Sequence, residues 1–179
     1  MKRALGTVAA ATLVVAAAAA PAAAQDAAGT RAVQLGVQGG ISMPMGDFGD
    51  AADMGFLVAG TLGMTPAALP VGLRFDVGYQ SWGGEGDLSF SGIHGMGSAV
   101  FTIATEGGMR PYLLGGLGVY RMKVDIGVAD ATETDLGIHF GGGIDIPLSG
   151  MSSYVEARYT NVFGDGDMSF IPIVFGIRF

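Results

Sequence analysis

The sequence contains no cysteine, so no disulfide can staple the fold and no thiolate can hold a metal. Charge is scarce: Asp, Glu, Lys and Arg make up 14% of the residues, against roughly 25% in an ordinary soluble domain. Positive charge is scarcer still, with 9 basic residues against 16 acidic, which speaks against a nucleic-acid partner held by a basic patch. After the amino-terminal region no run of about 18 apolar residues offers a membrane-crossing helix. Yet 50% of the residues are hydrophobic. An apolar, charge-poor chain without helical spans points to β-strands in lipid, the other arrangement that satisfies every backbone hydrogen bond there.

The amino terminus reads as an export signal. Two positive charges in Met1-Lys2-Arg3 precede an Ala-rich apolar stretch, Ala4 to Ala20, and then Pro21 and the small residues Ala22-Ala23-Ala24. That order is a secretory signal peptide over residues 1–24. The stretch is short and weakly apolar for an uncleaved anchor. Cleavage after Ala24 leaves 179 − 24 = 155 residues, one domain's worth, with 7 basic residues against 16 acidic. The expected division is residues 1–24 as signal, 25–32 as a short periplasmic segment and 33–179 as a barrel domain.

From Val33 onward, alternating segments are separated by turn residues. Strands are predicted over 33–43, 55–64, 71–80, 88–104, 111–122, 136–146, 154–162 and 170–179. The third is the cleanest, with Val71, Leu73, Phe75, Val77 and Tyr79 on one face and Arg74, Asp76 and Gln80 on the other. The seventh sets Val155, Ala157 and Tyr159 against Glu156, Arg158 and Thr160. In the last, Ile171, Ile173, Phe175, Ile177 and Phe179 form an unbroken apolar face. Segments of roughly ten residues suit strands crossing a bilayer at a tilt.

The connections alternate in character. Those after strands one, three, five and seven carry Asp47, Asp50, Asp53, Glu85, Asp87, Asp125, Asp130, Glu133, Asp135, Asp165 and Asp167, which is 11 of the 16 acidic residues. Such polarity between ends suits a barrel with one end outside the cell. Many of the 32 glycines fall inside strands, Gly141-Gly142-Gly143 among them. In a narrow barrel they ease coiling and fit a crowded interior. A phosphate-cradling reading fails because no P-loop lysine and no helix follow.

A soluble barrel with its apolar face inside would show the same period. Three features favour lipid: strand faces almost free of charge, polar positions of both signs that can neutralise one another in a lumen, and aromatics near strand ends. Tyr79, Trp82, Tyr112, Tyr120, Tyr154, Tyr159 and Phe163 are expected to form interfacial girdles.

The run Arg110-Pro111-Tyr112-Leu113-Leu114-Gly115-Gly116-Leu117-Gly118-Val119-Tyr120 resembles the fifth strand of small outer-membrane β-barrel domains of the opacity-protein and outer-membrane-protein-A type. So do the glycine-rich segment ending Ile144-Asp145-Ile146-Pro147, the segment Glu156-Ala157-Arg158-Tyr159, and Phe175-Gly176-Ile177-Arg178-Phe179. The resemblance implies an all-β, eight-stranded antiparallel up-and-down transmembrane barrel in the bacterial outer membrane, with both termini in the periplasm. It also implies that Phe175, Ile177 and Phe179 form the signal read by the β-barrel assembly machinery. It implies no single activity, since relatives include adhesins, anchors, evasion factors and lipid-modifying enzymes.

Arg74, Asp76, His94, His139, Glu156 and Arg158 are expected to form a polar network in the lumen, an internal ion-pair ladder rather than a conducting path. His94 or His139 with Ser91, Ser98 and Glu156 could supply a Ser-His-acid set. A lipid-cutting barrel, however, must present its nucleophile to acyl chains, and nothing places these residues on the outer wall. No catalytic residues, metal or cofactor are therefore expected. Gly46-Asp47-Phe48-Gly49-Asp50 and Gly164-Asp165-Gly166-Asp167 offer oxygen ligands but match no full calcium-loop spacing. The expected function is structural or surface-interactive, with outer-membrane lipid and lipopolysaccharide as partners and no ligand named. A narrow solute channel and a lipid-modifying hydrolase are the alternatives.

Overall fold

Side chains alternate between an outer wall and a lumen along eight strands, and the ring closes on itself. In the computed structural model, residues 33–66, 69–86, 88–106, 108–126, 130–164 and 167–179 are described. The expected signal peptide, the 25–32 segment, Asp87 and Asp165 lie outside them. The strands are β1 (Val33–Met45), β2 (Gly55–Met64), β3 (Gly72–Gly83), β4 (Ser89–Thr102), β5 (Arg110–Asp125), β6 (Asp130–Leu148), β7 (Met151–Phe163) and β8 (Met168–Arg178). Each pairs antiparallel with its sequence neighbours, and β1 pairs with β8. The seam is tight: Phe179 donates to the Leu35 carbonyl at 2.8 Å and Leu35 donates back to the Phe179 carbonyl at 3.2 Å.

The apolar face is outward. Phe75, Val77, Leu113, Leu117, Phe140, Val155 and Phe175 are all exposed, whereas Arg74, Asp76, His94, His139, Glu156 and Arg158 are buried in the lumen. A soluble lipocalin-like barrel would have the opposite arrangement.

Three features depart from the sequence reading. First, β6 begins at Asp130 rather than Leu136, and β5 runs on to Asp125. Asp130, Glu133 and Asp135 therefore belong to a strand, in a hairpin held by the Val124↔Ala131 and Asp125↔Asp130 pairs. Thr132 and Thr134 favour strand here, a preference that the surrounding acid masks in a hydropathy pattern.

Second, the 46–54 connection contains a short helix, α1 (Asp47–Ala51), entered through Gly46 at φ 60°. Its Phe48 turns inward and packs edge-on against Trp82 and Phe90, with ring centroids 5.2 Å away in each case.

Third, four of the expected girdle aromatics are inside. Trp82, Tyr112, Tyr120 and Tyr154 are at most 3% exposed, while Tyr79 and Phe163 face outward and Tyr159 is half-buried. Parity explains it: Trp82 shares a face with Arg74, Asp76 and Gln80, and Tyr154 shares one with Glu156 and Arg158. For these two, position near a strand end misled where the two-residue period would not have; β5, which carries Tyr112 and Tyr120, has apolar residues on both faces and offers no such guide.

The lumen is consequently filled. At the end bearing α1, Phe48, Trp82, Phe90, Tyr120 and Phe170 form an apolar plug with Met96, Met122 and Val162. Leu57, Leu114, Tyr112, Tyr154 and Val174 form a second cluster, which reaches towards the end bearing Val33 and Phe179 through Tyr112 and Tyr154. The charged ring lies beside it, with Val174 in register with Glu156.

Candidate functional site

The ring is built from two strands that face each other, since β3 and β7 are four strands apart in either direction. Two-residue spacing on each puts one acid and one base into the lumen. Arg74 forks onto Glu156, with Nη1 donating to Oε2 at 2.7 Å and Nη2 to Oε1 at 2.8 Å. Arg158 Nη1 donates to Asp76 Oδ2 at 3.1 Å, and Arg74 Nε to the same oxygen at 3.2 Å. Arg158 Nε closes the circuit 3.1 Å from Glu156 Oε1. Two positive and two negative side chains, all at most 3% exposed, thus neutralise one another inside the lumen.

The bonds that brace this ring cross whole strands, and inward-facing glycines make that possible. Tyr112 registers with Gly143, and Gly143 with Glu156. With no Cβ at Gly143, the Tyr112 hydroxyl reaches over it and donates to Glu156 Oε2 at 2.6 Å. Likewise Tyr154 reaches over Gly176 to Gln38 Oε1 at 3.0 Å. Ser98 Oγ meets His139 Nε2 at 2.8 Å across Gly116. A Cβ on Gly116 would collide with the Gly97 carbonyl and the Ser98 backbone, and neither can move without shifting β4. Gly116→Val is expected to lower unfolding free energy by about 1–3 kcal/mol through overpacking. Gly95→Val, whose Cβ would have nothing within 4 Å, is expected to leave urea unfolding in micelles unchanged.

Five of the six expected network residues make bonds there, and His94 does not. Arg74, Asp76, Glu156 and Arg158 form the ring, and His139 bonds Ser98 to one side of it. His94, 3% exposed, has neither ring nitrogen bonded and lies 5.8 Å from the Tyr120 ring, at a 33° tilt. A Ser-His-acid set is not assembled, because His139 Nδ1 has no partner. Among the described residues no cluster of three His, Asp or Glu side chains could hold a metal. In the Asp47–Asp50 segment the helix turns Phe48, not the carboxylates, into the molecule.

A second polar group escaped the sequence reading. Near the chain's ends Arg110 donates to Asp145 Oδ2 through Nη2 at 2.6 Å, and Arg178 Nη2 lies 3.5 Å from Asp145 Oδ1. The Arg178 guanidinium stacks over Tyr154, 4.3 Å from its ring centroid. Arg110, Asp145 and Arg178 line a cavity of about 300 Å³ that also reaches Gln34, Leu73 and Tyr112. The Arg110↔Asp145 register pair could have revealed them, but only with the strand pairing known. On β8, Phe175 and Phe179 lie on the outer wall, each more than half exposed, and Ile177 between them is partly covered.

A closed eight-stranded up-and-down barrel with an apolar outer wall and a neutralised, packed lumen defines a transmembrane β-barrel. The sequence matches the outer membrane protein beta-barrel domain family over residues 9–179, and the chain belongs to that family. The family places it in the bacterial outer membrane. The fold is similar to that of Neisserial surface protein A, with a TM-score of 0.67 at 20% identity over 84% of this chain and 98% of the other. It is also similar to the N-terminal β-barrel domain of Pseudomonas aeruginosa OprF, with a TM-score of 0.53 at 14% identity over 82% and 97% of the two chains. The outer membrane enzyme PagL shares the fold as well, with a TM-score of 0.55 at 14% identity over 80% and 97%. No curated protein matches the sequence.

Proposed function

We propose that the chain is a non-enzymatic outer-membrane protein whose plugged barrel anchors a surface-interacting end in the lipid. The reading rests on one observation above others: the lumen is closed twice in series, by the Phe48–Trp82–Phe170 plug and by the Arg74–Glu156–Arg158–Asp76 ring. In this reading residues 1–24 are removed on export and the end bearing Val33 and Phe179 faces the periplasm. Phe175, Ile177 and Phe179 serve the assembly machinery, and the acidic end meets lipopolysaccharide and its bridging cations. The Ser98–His139 pair, which brings a serine and a histidine together, lies inside the barrel wall and away from acyl chains, which supports a non-enzymatic role.

Planar-bilayer recording on the refolded protein tests the reading. No unitary conductance above the bare membrane is expected, and reproducible steps would replace the anchor with a narrow channel.

A further inference from the structure

β6 is the longest strand, and its first stretch is paired on one side only. Its ladder with β5 runs from Arg110↔Asp145 to Asp125↔Asp130. Its ladder with β7 starts at Leu136↔Phe163. Among the described residues no strand pairs with the second edge of 130–135, because β7 ends at Phe163 and β8 starts at Met168; Gly164, just past β7, lies against the Asp135 side chain and marks where the open stretch begins. The adjoining strands stay paired up to Ser89↔Asp125, so β4, β5 and β6 rise together as a small sheet whose outer edge has no partner strand among the described residues.

Such edges are usually blunted by short length, proline, a bulge or charged side chains. The segment Asp130-Ala131-Thr132-Glu133-Thr134-Asp135 has no proline or lysine and its ladder with β5 has no bulge, its threonines favour extended backbone, and its three carboxylates guard it against any strand that brings no positive charge. A notch of about 120 Å³ opens where the edge passes the end of β7. Its floor is apolar, from Met122, Val124, Val162 and Met168, and its rim carries Glu133 and Asp135. Lys123 spends its charge elsewhere, on Asp125 at 3.5 Å and Asp130 at 3.6 Å. Among the described residues no cation lies within ion-pair distance of Glu133 or Asp135.

We propose that residues 130–135 of β6 are a docking edge for an extended segment of another protein, which joins the sheet as an added strand and lays a Lys or Arg side chain in the notch. The backbone edge supplies sequence-tolerant hydrogen bonds, and the notch supplies selectivity. The aliphatic stem of a Lys or Arg would cover the methionines while its head group meets Glu133 and Asp135. A second copy of this chain is disfavoured, since edge-to-edge pairing would set these carboxylates against their own kind. The proposal rests on reading the α1 end as the outward-facing one.

The full chain in lipid nanodiscs is titrated with a peptide of alternating threonine and valine carrying one central lysine. Saturable binding is expected, with slowed amide exchange at Thr132–Asp135. The norleucine peptide and the Glu133→Gln/Asp135→Asn variant should each bind about tenfold more weakly, near 1.4 kcal/mol. Of two peptides N-methylated on opposite edges, one should lose binding and the other keep it. Equal binding of both methylated peptides, equal binding of norleucine, or no binding to the wild-type chain would overturn the proposal. Conductance steps would remove the anchor reading without touching this edge, and a silent, non-binding barrel would remove the edge alone.

Discussion

Glu156→Ala is expected to lower the unfolding free energy of the barrel by about 3–5 kcal/mol, the cost of stranding buried charge. Glu156 receives both Nη groups of Arg74 and the Tyr112 hydroxyl and lies 3.1 Å from Arg158 Nε. Its loss leaves two guanidiniums in the lumen with only Asp76 between them. Removing the base as well should recover part of the loss, because Arg74→Ala/Glu156→Ala restores neutrality around the Arg158–Asp76 pair. The double variant is expected to fall short of the summed single losses by about 0.5–3 kcal/mol. Urea unfolding in micelles, followed by the fluorescence of Trp82, the single tryptophan, measures all three. Strict additivity would mean that the ring is four independent side chains.

Trp82→Ala is expected to cost about 3–5 kcal/mol, in the range of other large aromatic truncations in packed sites. Trp82 is 1% exposed and contacts Phe48 edge-on on one side and Phe170 on the other, with centroids 5.2 and 5.1 Å away. Each such aromatic pair contributes about 0.5–1.5 kcal/mol beyond the area it covers. Truncation also removes the surface on which α1 rests, so proteolysis within 46–54 should become faster while the strands stay protected. The variant has no tryptophan, and its unfolding must be followed by circular dichroism. It should still not conduct, because the charged ring remains beneath the opened plug.

The architecture was legible because the two-residue period is strong wherever an apolar wall meets a polar lumen. β3 shows this best: Phe75, Val77 and Tyr79 face out, and Arg74, Asp76 and Gln80 face in. Which lumen residues meet was much less legible, since the partners sit on strands far apart in sequence. Arg74 and Glu156 are 82 positions apart, and only closure of the ring makes them neighbours. Tyr154 is legible by parity, since it shares a face with Glu156 and Arg158, whereas Tyr112 lies on a strand with apolar residues on both faces, where parity separates nothing. Phe48 carried no periodic signal, because a five-residue helix gives none. The early start of β6 was hidden because a strand rising above the membrane has no apolar face to alternate.

The β1–β8 seam has a consequence for how the molecule comes into being. Leu35 and Phe179 stand at opposite ends of the described chain, yet each supplies the other's last ladder bond. Before they meet, both flanking strands carry a full row of unsatisfied amides and carbonyls, which hydrocarbon does not tolerate. A chain arrested after seven strands thus has no stable resting place in lipid. Insertion and closure are therefore expected to be one concerted event.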